Sequence, residues 1–245
     1  MQRVRGFAPF HRWDRNYFLF LVGLIWLGIL MGFVPEVIEH VRGAKPPFPV
    51  IVHVHGVLFV AFLVLLTLQI LLIRVGRADL HRTLGILIAM LAGGMIVIGP
   101  ITAVVIDYLH FGTKDSDPSF LAIQWGDIVI FATLVTAGLL LREAAPAHKR
   151  LILLATIFIS DAGFARWLGD DFKFAGNGFW GQYLQLYVYD FALAAMLGAY
   201  DYITRRKLHP AFVAGTGFGL AMQIIVIWLY VSPWWKPIAT MLIGR

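Results

Sequence analysis

Seven long apolar stretches run through this chain, each close to the roughly 20 residues that carry an α-helix across a bilayer. They fall at 17–34, 50–73, 83–109, 119–141, 151–168, 180–204 and 211–232 and leave no room for a soluble domain between them. The expectation is a single all-α membrane domain, 1–245, folded as a seven-transmembrane-helix bundle. Composition agrees: 60% of the residues are hydrophobic and 14% charged, against roughly 45–50% and about 25% in soluble domains. Pro35, Lys45-Pro46-Pro47, the stretch from Lys114 through Asp115 to Pro118, and Pro210 mark breaks in the helical pattern. The first span is longer than a signal-peptide core and has no small-residue cleavage site, so it is expected to stay as an anchor.

Counting Lys and Arg on alternate sides sets the orientation, because moving them against the membrane potential is unfavourable. One side holds 13, including Arg3, Arg5, Arg74, Arg82, Lys149, Arg150 and Arg205, and the other holds 7. This predicts a bacterial inner-membrane protein with its N-terminus cytoplasmic and its C-terminus periplasmic. The net charge of +6 is therefore topological. The basic residues occupy short loops without interleaved aromatics, which argues against nucleic acid as a partner. The bilayer is the expected partner, with anionic headgroups facing the cytoplasmic basic residues, His81-Arg82, His148-Lys149-Arg150 and His209 among them. Asp201 is expected to pair with Arg205 at i, i+4. With no cysteine, disulfides, thiol nucleophiles, iron–sulfur clusters and cysteine-held zinc are all excluded.

Ionisable residues inside spans are costly, roughly 2.5–3.5 kcal/mol each on insertion scales, and mark functional interiors. Asp127, Asp161 and Asp190 lie on three consecutive spans at depths of roughly 11–15 Å from the outer surface. Arg166 lies about one turn further out and is expected to pair with one of them. One arginine cannot neutralise three carboxylates, so a proton, another cation or a metal must complete the set. Gln124 and Tyr187, three residues before Asp127 and Asp190, share their helical faces. His55 and His53 at the outer end of the second span, with His110 ending the third, extend the potential ligand set. An imidazole with two carboxylates suits a divalent metal such as zinc and can activate water. His53 and His55 point about 200° apart, so they cannot both face the bundle if the helix is regular there.

The residues His53-x-His55, Gln69, Gly76-Arg77-x-x-x-His81-Arg82-x-x-Gly85, Ala147-His148-Lys149-Arg150-Leu151, Asp161-Ala162-x-x-Ala165-Arg166-Trp167 and His209-Pro210 form a pattern over about 50–215. It resembles an uncharacterised bacterial family of multi-pass inner-membrane proteins. That resemblance implies the membrane class and family acids matching Asp127 and Asp190, and implies no activity. The basic-loop histidines resemble more distantly those of two-haem membrane cytochromes, which implies haem b with His53, His55, His81, His110 and His148 as candidate axial ligands, paired as His81 with His148 or His55 with His110. A transmembrane haem pair on one helix fails by distance, since His81 and His110 are 29 residues apart, about 43 Å of helix against a hydrocarbon core of about 30 Å. A single haem near one surface survives this test.

The seventh span has no lysine for a retinal Schiff base, and no paired HxxxH late in the chain matches seven-helix zinc hydrolases. Polar residues concentrate in the outer half, which suits a pocket better than a pore. The expectation is an outward-open polar pocket between helices two to six. There Asp127, Asp161, Asp190, Arg166 and His55 bind a divalent cation or protons and act on a small or lipidic molecule, by hydrolysis or proton-coupled transport. A haem-binding redox protein and a non-catalytic assembly or scaffold subunit are the competing classes.

Overall fold

The computed structural model describes residues 7–114 and 116–245; Arg3, Arg5 and Asp115 lie outside them. Among the described residues the regular structure is helical: α1 (Asp14–Val41), α2 (Val50–Arg74), α3 (Ala78–His110), α4 (Leu121–Leu140), α5 (Ala145–Ile159), α6 (Asp161–Leu168), α7 (Phe179–Arg205), α8 (Pro210–Val231) and α9 (Trp235–Leu242). Short 3-10 turns occupy Pro118–Phe120 and Gly169–Ala175. Among the described residues six stretches are long and apolar enough to cross a membrane: α1, α2, α3, Pro118–Leu140, Ala145–Ala175 and α8. α7, with 27 residues, is as long, but its tyrosines, glutamines and two aspartates keep it out of that group.

One proline expected to punctuate a helix, Pro35, does not do so. Pro35 lies inside α1, which runs on to Val41, and Pro100 lies inside α3. A proline forfeits one backbone bond, a loss that helices of this kind tolerate when neighbours re-satisfy the freed group. The fifth stretch is broken instead, at Ser160, which carries no proline signal. Its backbone N–H and its hydroxyl both donate to the Ile157 carbonyl, at 3.0 and 2.7 Å. That local bonding competes with the continuing helical ladder, and the chain restarts as α6 with Asp161 as its first residue.

α5 forms the centre of the bundle. Leu154, Ala155, Ile157 and Phe158 are fully buried, enclosed by α4, α7 and α8. α1 packs on α2 and α6, α2 on α3, α3 on α4, and α7 on α6 and α8. By contrast α2 and α3 turn large apolar side chains outward, such as Val57, Val64, Ile86, Met90 and Val97. Apolar faces of this extent need a lipid environment.

α6 is held against α1 by missing side chains. A Cβ on Gly32 would come within 2.1 Å of the Gly163 carbonyl oxygen, and one on Gly163 within 2.8 Å of the Gly28 carbonyl oxygen. Gly28 and Gly32 are one turn apart on α1 and face Gly163 on α6, an approach that small residues alone permit. This contact sets where the broken helix restarts, and therefore where Asp161 points.

Candidate functional site

Asp127 on α4, Asp161 at the start of α6 and Asp190 on α7 converge inside the bundle, with relative exposures of 7%, 3% and 0%. The three carboxyls are near neighbours of one another. Tyr187, one turn before Asp190, donates its hydroxyl to Asp127 Oδ1 at 2.9 Å. Gln223 on α8 donates Nε2 to Asp190 Oδ2 at 2.7 Å. One oxygen each of Asp161 and Asp190 is buried without a partner. No ion pair reaches any of the three acids among the described residues.

Arg166 forms no ion pair with the three acids, although its charge is still felt at Asp161. Its Nε faces Glu36 on α1 at 3.6 Å, its guanidinium lies over Phe33 at 4.6 Å, and its side chain is 46% exposed. The reason is helical phase: five residues after Asp161 it points about 140° away from it. Gln124 also stands apart, with its carbonyl oxygen buried and unbonded. Gln223 has the role that was expected of such a side chain. Its signal was a lone amide within an apolar run, which the rule for buried charges applies to as well.

The outer-end histidines do not assemble with the acids. His55 stacks on Phe59 at 4.1 Å, His53 lies edge-on to Phe48 at 6.1 Å, and His110 ends α3 on the surface. Among the described residues no group of three or more His, Asp or Glu side chains is arranged to hold a metal ion. The expected ligand set of His53, His55, His110 and the acids is thus divided, because α2 presents its histidines toward its own aromatic neighbours.

The opposite, basic end contains a second polar cluster. Asp14 accepts hydrogen bonds from Lys149 Nζ at 2.7 Å, Arg205 Nη2 at 2.7 and 2.8 Å, and the Tyr200 hydroxyl at 2.6 Å. Arg150 and Asp201, both fully buried, form a two-pronged pair through Nε–Oδ2 at 2.5 Å and Nη2–Oδ1. Arg150 Nη1 also donates to the Pro146 carbonyl at 2.7 Å, and Phe7 covers the guanidinium at 4.4 Å. Arg150 is therefore unavailable to lipid headgroups, contrary to the sequence expectation. The expected Asp201–Arg205 pair is the looser one, at 3.7 Å. Burial, with the Arg150 guanidinium nearby, holds the His209 imidazole below its ordinary range.

At the same end His81 and His148 face each other, ring centroids 6.4 Å apart and planes perpendicular at 89°. The Nδ1 atoms contact backbone carbonyls, His148 with Gly138 at 2.8 Å and His81 with Gln69 at 3.4 Å. The Gln69 side-chain amide is buried with both polar atoms unbonded. Comparison with protein-family models, with curated proteins and with solved structures gives no match at all.

Proposed function

We propose that the chain is a seven-span protein of a bacterial inner membrane whose Asp127–Asp161–Asp190 cluster holds and exchanges a proton, in chemistry on or transport of a small or lipidic molecule. The observation that carries this reading is the burial of three neighbouring carboxyls, Asp127, Asp161 and Asp190, none of them in an ion pair among the described residues. Two neighbouring ionised carboxylates repel strongly where the dielectric is low, so one proton between them is the simplest stable occupant. Tyr187 and Gln223 then donate to oxygens of the set without adding charge. A divalent cation is the competing occupant.

Infrared difference spectroscopy on the purified protein reads a buried carboxylic acid directly. The expected result is a carboxylic C=O band at neutral pH that disappears or shifts in Asp127→Asn and in Asp161→Asn. No such band, with stoichiometric zinc by elemental analysis, would replace the proton with a metal. Neither band nor metal would leave the trio as packing and support the scaffold class.

For topology, α7 is the sixth crossing in chain order and brings the number of spans to seven. It is about 40 Å long at 1.5 Å per residue, and Tyr187, Asp190 and Asp201 are buried, while Phe191 and Ile203 lie outward. Its polarity therefore faces the bundle. The basic end is cytoplasmic by the charge bias. Because the chain lacks cysteine, single cysteines report sidedness cleanly: Ala44→Cys should react with an impermeant thiol reagent on intact cells, and Arg142→Cys only after permeabilisation.

His81 and His148 support a second reading, a histidine-held metal centre, haem b being the form the redox class requires. Two imidazoles on one metal place each ring centre about 3.2 Å from it, roughly 2.0 Å of bond plus the ring offset, and the observed spacing is 6.4 Å. Carbonyl contacts at Nδ1 leave Nε2 for a metal, the usual supporting arrangement. A haem there would supply one-electron chemistry, and His81 and His148 would hold it. A visible absorption spectrum typical of haem, lost in His148→Ala, is the supporting result; a colourless protein ends the haem reading.

A further inference from the structure

The polar residues of the last long helix fall in a regular series. In and just before α8, His209, Thr216, Gln223 and Tyr230 recur every seven residues. Seven residues turn a helix by about 700°, which is 20° short of two turns. The four therefore form one slowly drifting stripe from the basic end to the opposite end.

The outer half of this stripe is connected. Tyr230 donates its hydroxyl to Asp117 Oδ2 at 2.9 Å, and both residues line an open cleft of about 480 Å³ together with Ser119, Asn177 and Gln182. Behind the cleft, one residue after Gln182 and not itself in the cleft lining, the half-buried Tyr183 donates its hydroxyl to Gln223 Oε1 at 3.5 Å. Gln223 in turn donates to Asp190 at 2.7 Å. The second oxygen of Asp190 is buried and unpartnered, as is one oxygen of Asp161. Long polar separations and unpartnered buried oxygens are where bridging water is bound.

The inner half is different. The Thr216 hydroxyl is buried and has no partner. On the same face Phe212 abuts Gly198, Gly219 abuts Phe158, and Leu197 and Ala194 of α7 are fully buried. Beyond them the Arg150–Asp201 pair closes the basic end. No polar chain links Asp190 to that end among the described residues.

We propose that the proton held by the acid trio is exchanged only with the Asp117–Tyr230 cleft, through the Tyr183 hydroxyl and the water that Gln223 positions beside Asp190. In each transfer a hydronium in the cleft gives a proton, through intervening water, to the Tyr183 oxygen, the original hydroxyl proton passes to bridging water, that water protonates the Asp190 carboxylate, and Asp190 passes its proton on to the neighbouring Asp127–Asp161 pair. Release runs the same steps backward, and no other reactant is consumed. Tyr183 carries the proton and Gln223 is a positioning residue. The water order, not the amide, makes the connection. This inference rests on the proton-holding reading of the trio. The charged and titratable groups around the route are Asp127 on α4, Asp161 on α6, Asp190, Tyr183 and Tyr187 on α7, and Asp117 with Tyr230 at the mouth.

The test follows the hydrogen–deuterium shift of the carboxylic band after transfer of the purified, full-length protein into heavy water. Tyr183→Phe and Gln223→Leu should each slow the shift by about tenfold or more, the effect of losing one relay step, while leaving the band itself in place. Thr216→Val should leave the rate within about twofold of the parent. Should Gln223→Leu fail to fold, Tyr183→Phe alone decides, since it removes one partly exposed hydroxyl and keeps the ring. Unchanged rates in Tyr183→Phe, or equal slowing by Thr216→Val, would overturn the route while the band still supported the trio. Loss of the band from the parent protein would instead overturn the proton-holding reading itself.

Discussion

Breaking the Arg150–Asp201 pair should cost far more than replacing it. Arg150 makes three hydrogen bonds, two to Asp201 and one to the Pro146 carbonyl, in a place with no solvent exposure. Removal of one member of a buried pair typically costs about 3–5 kcal/mol, because the other charge is left without compensation. The two single losses are not equivalent. Without Arg150, Asp201 still has Arg205 Nη1 at 3.7 Å, whereas without Asp201 the Arg150 guanidinium keeps only a carbonyl and the Phe7 ring. Arg205, itself a cation paired with Asp14, cannot compensate the Arg150 charge. Asp201→Leu should therefore lose about 5 kcal/mol and Arg150→Met about 3 kcal/mol, while the double variant, with no charge to bury, should return to within about 1–2 kcal/mol of the parent. Equilibrium unfolding in mixed micelles with a denaturing detergent, followed by the fluorescence of the eight tryptophans, measures all four proteins. Additive losses in the double variant, or a milder effect of Asp201→Leu than of Arg150→Met, would refute the reasoning.

Gly163→Val should destabilise by about 2–3 kcal/mol by overpacking, because its Cβ would meet the backbone of Gly28 and Ile29 at 2.8 and 2.9 Å. Gly23→Ala, with nothing within 4 Å of the added atom, is the control and should be neutral or stabilising in the same unfolding assay. Asp190→Asn should keep stability near the parent value, since an amide oxygen can still accept from Gln223. Asp190→Leu should instead lose about 1–3 kcal/mol by stranding the Gln223 amide, a contrast that unfolding measurements resolve. Arg166→Gln should cost no more than about 1 kcal/mol, the worth of a half-exposed pair with Glu36; a loss of several kcal/mol would mean that Arg166 neutralises a buried acid after all.

Much of the candidate site was legible in the primary structure because the cost of burying charge is independent of fold. Asp127, Asp161 and Asp190 stand out against apolar surroundings, and counting residues from the helix ends put them at one depth. Tyr187 was readable too, from its spacing of one turn to Asp190. Gln223 was overlooked because a neutral amide attracts less notice than a charge, although its penalty for being left unbonded is of the same kind. Arg166 was misjudged because depth was considered without helical phase. Asp14 was not singled out, Arg150 looked like a member of an interfacial basic fringe, and nothing local distinguishes a headgroup-facing arginine from one folded inward onto a partner 51 residues away.

Apolar run lengths and the placement of basic loops follow from residue types alone, because the transfer of side chains between water and hydrocarbon is a local, additive quantity. They were sufficient for a helical membrane protein with a marked basic end. Which helix lies at the centre, where the fifth stretch breaks, and which cations meet which acids depend on close approach between segments distant in the chain. The Gly28–Gly32–Gly163 contact turns Asp161 toward Asp127, and α5 becomes the central helix because α4, α7 and α8 pack around it. Steric fit of that kind is a property of pairs of surfaces, so it is decided only when the surfaces meet.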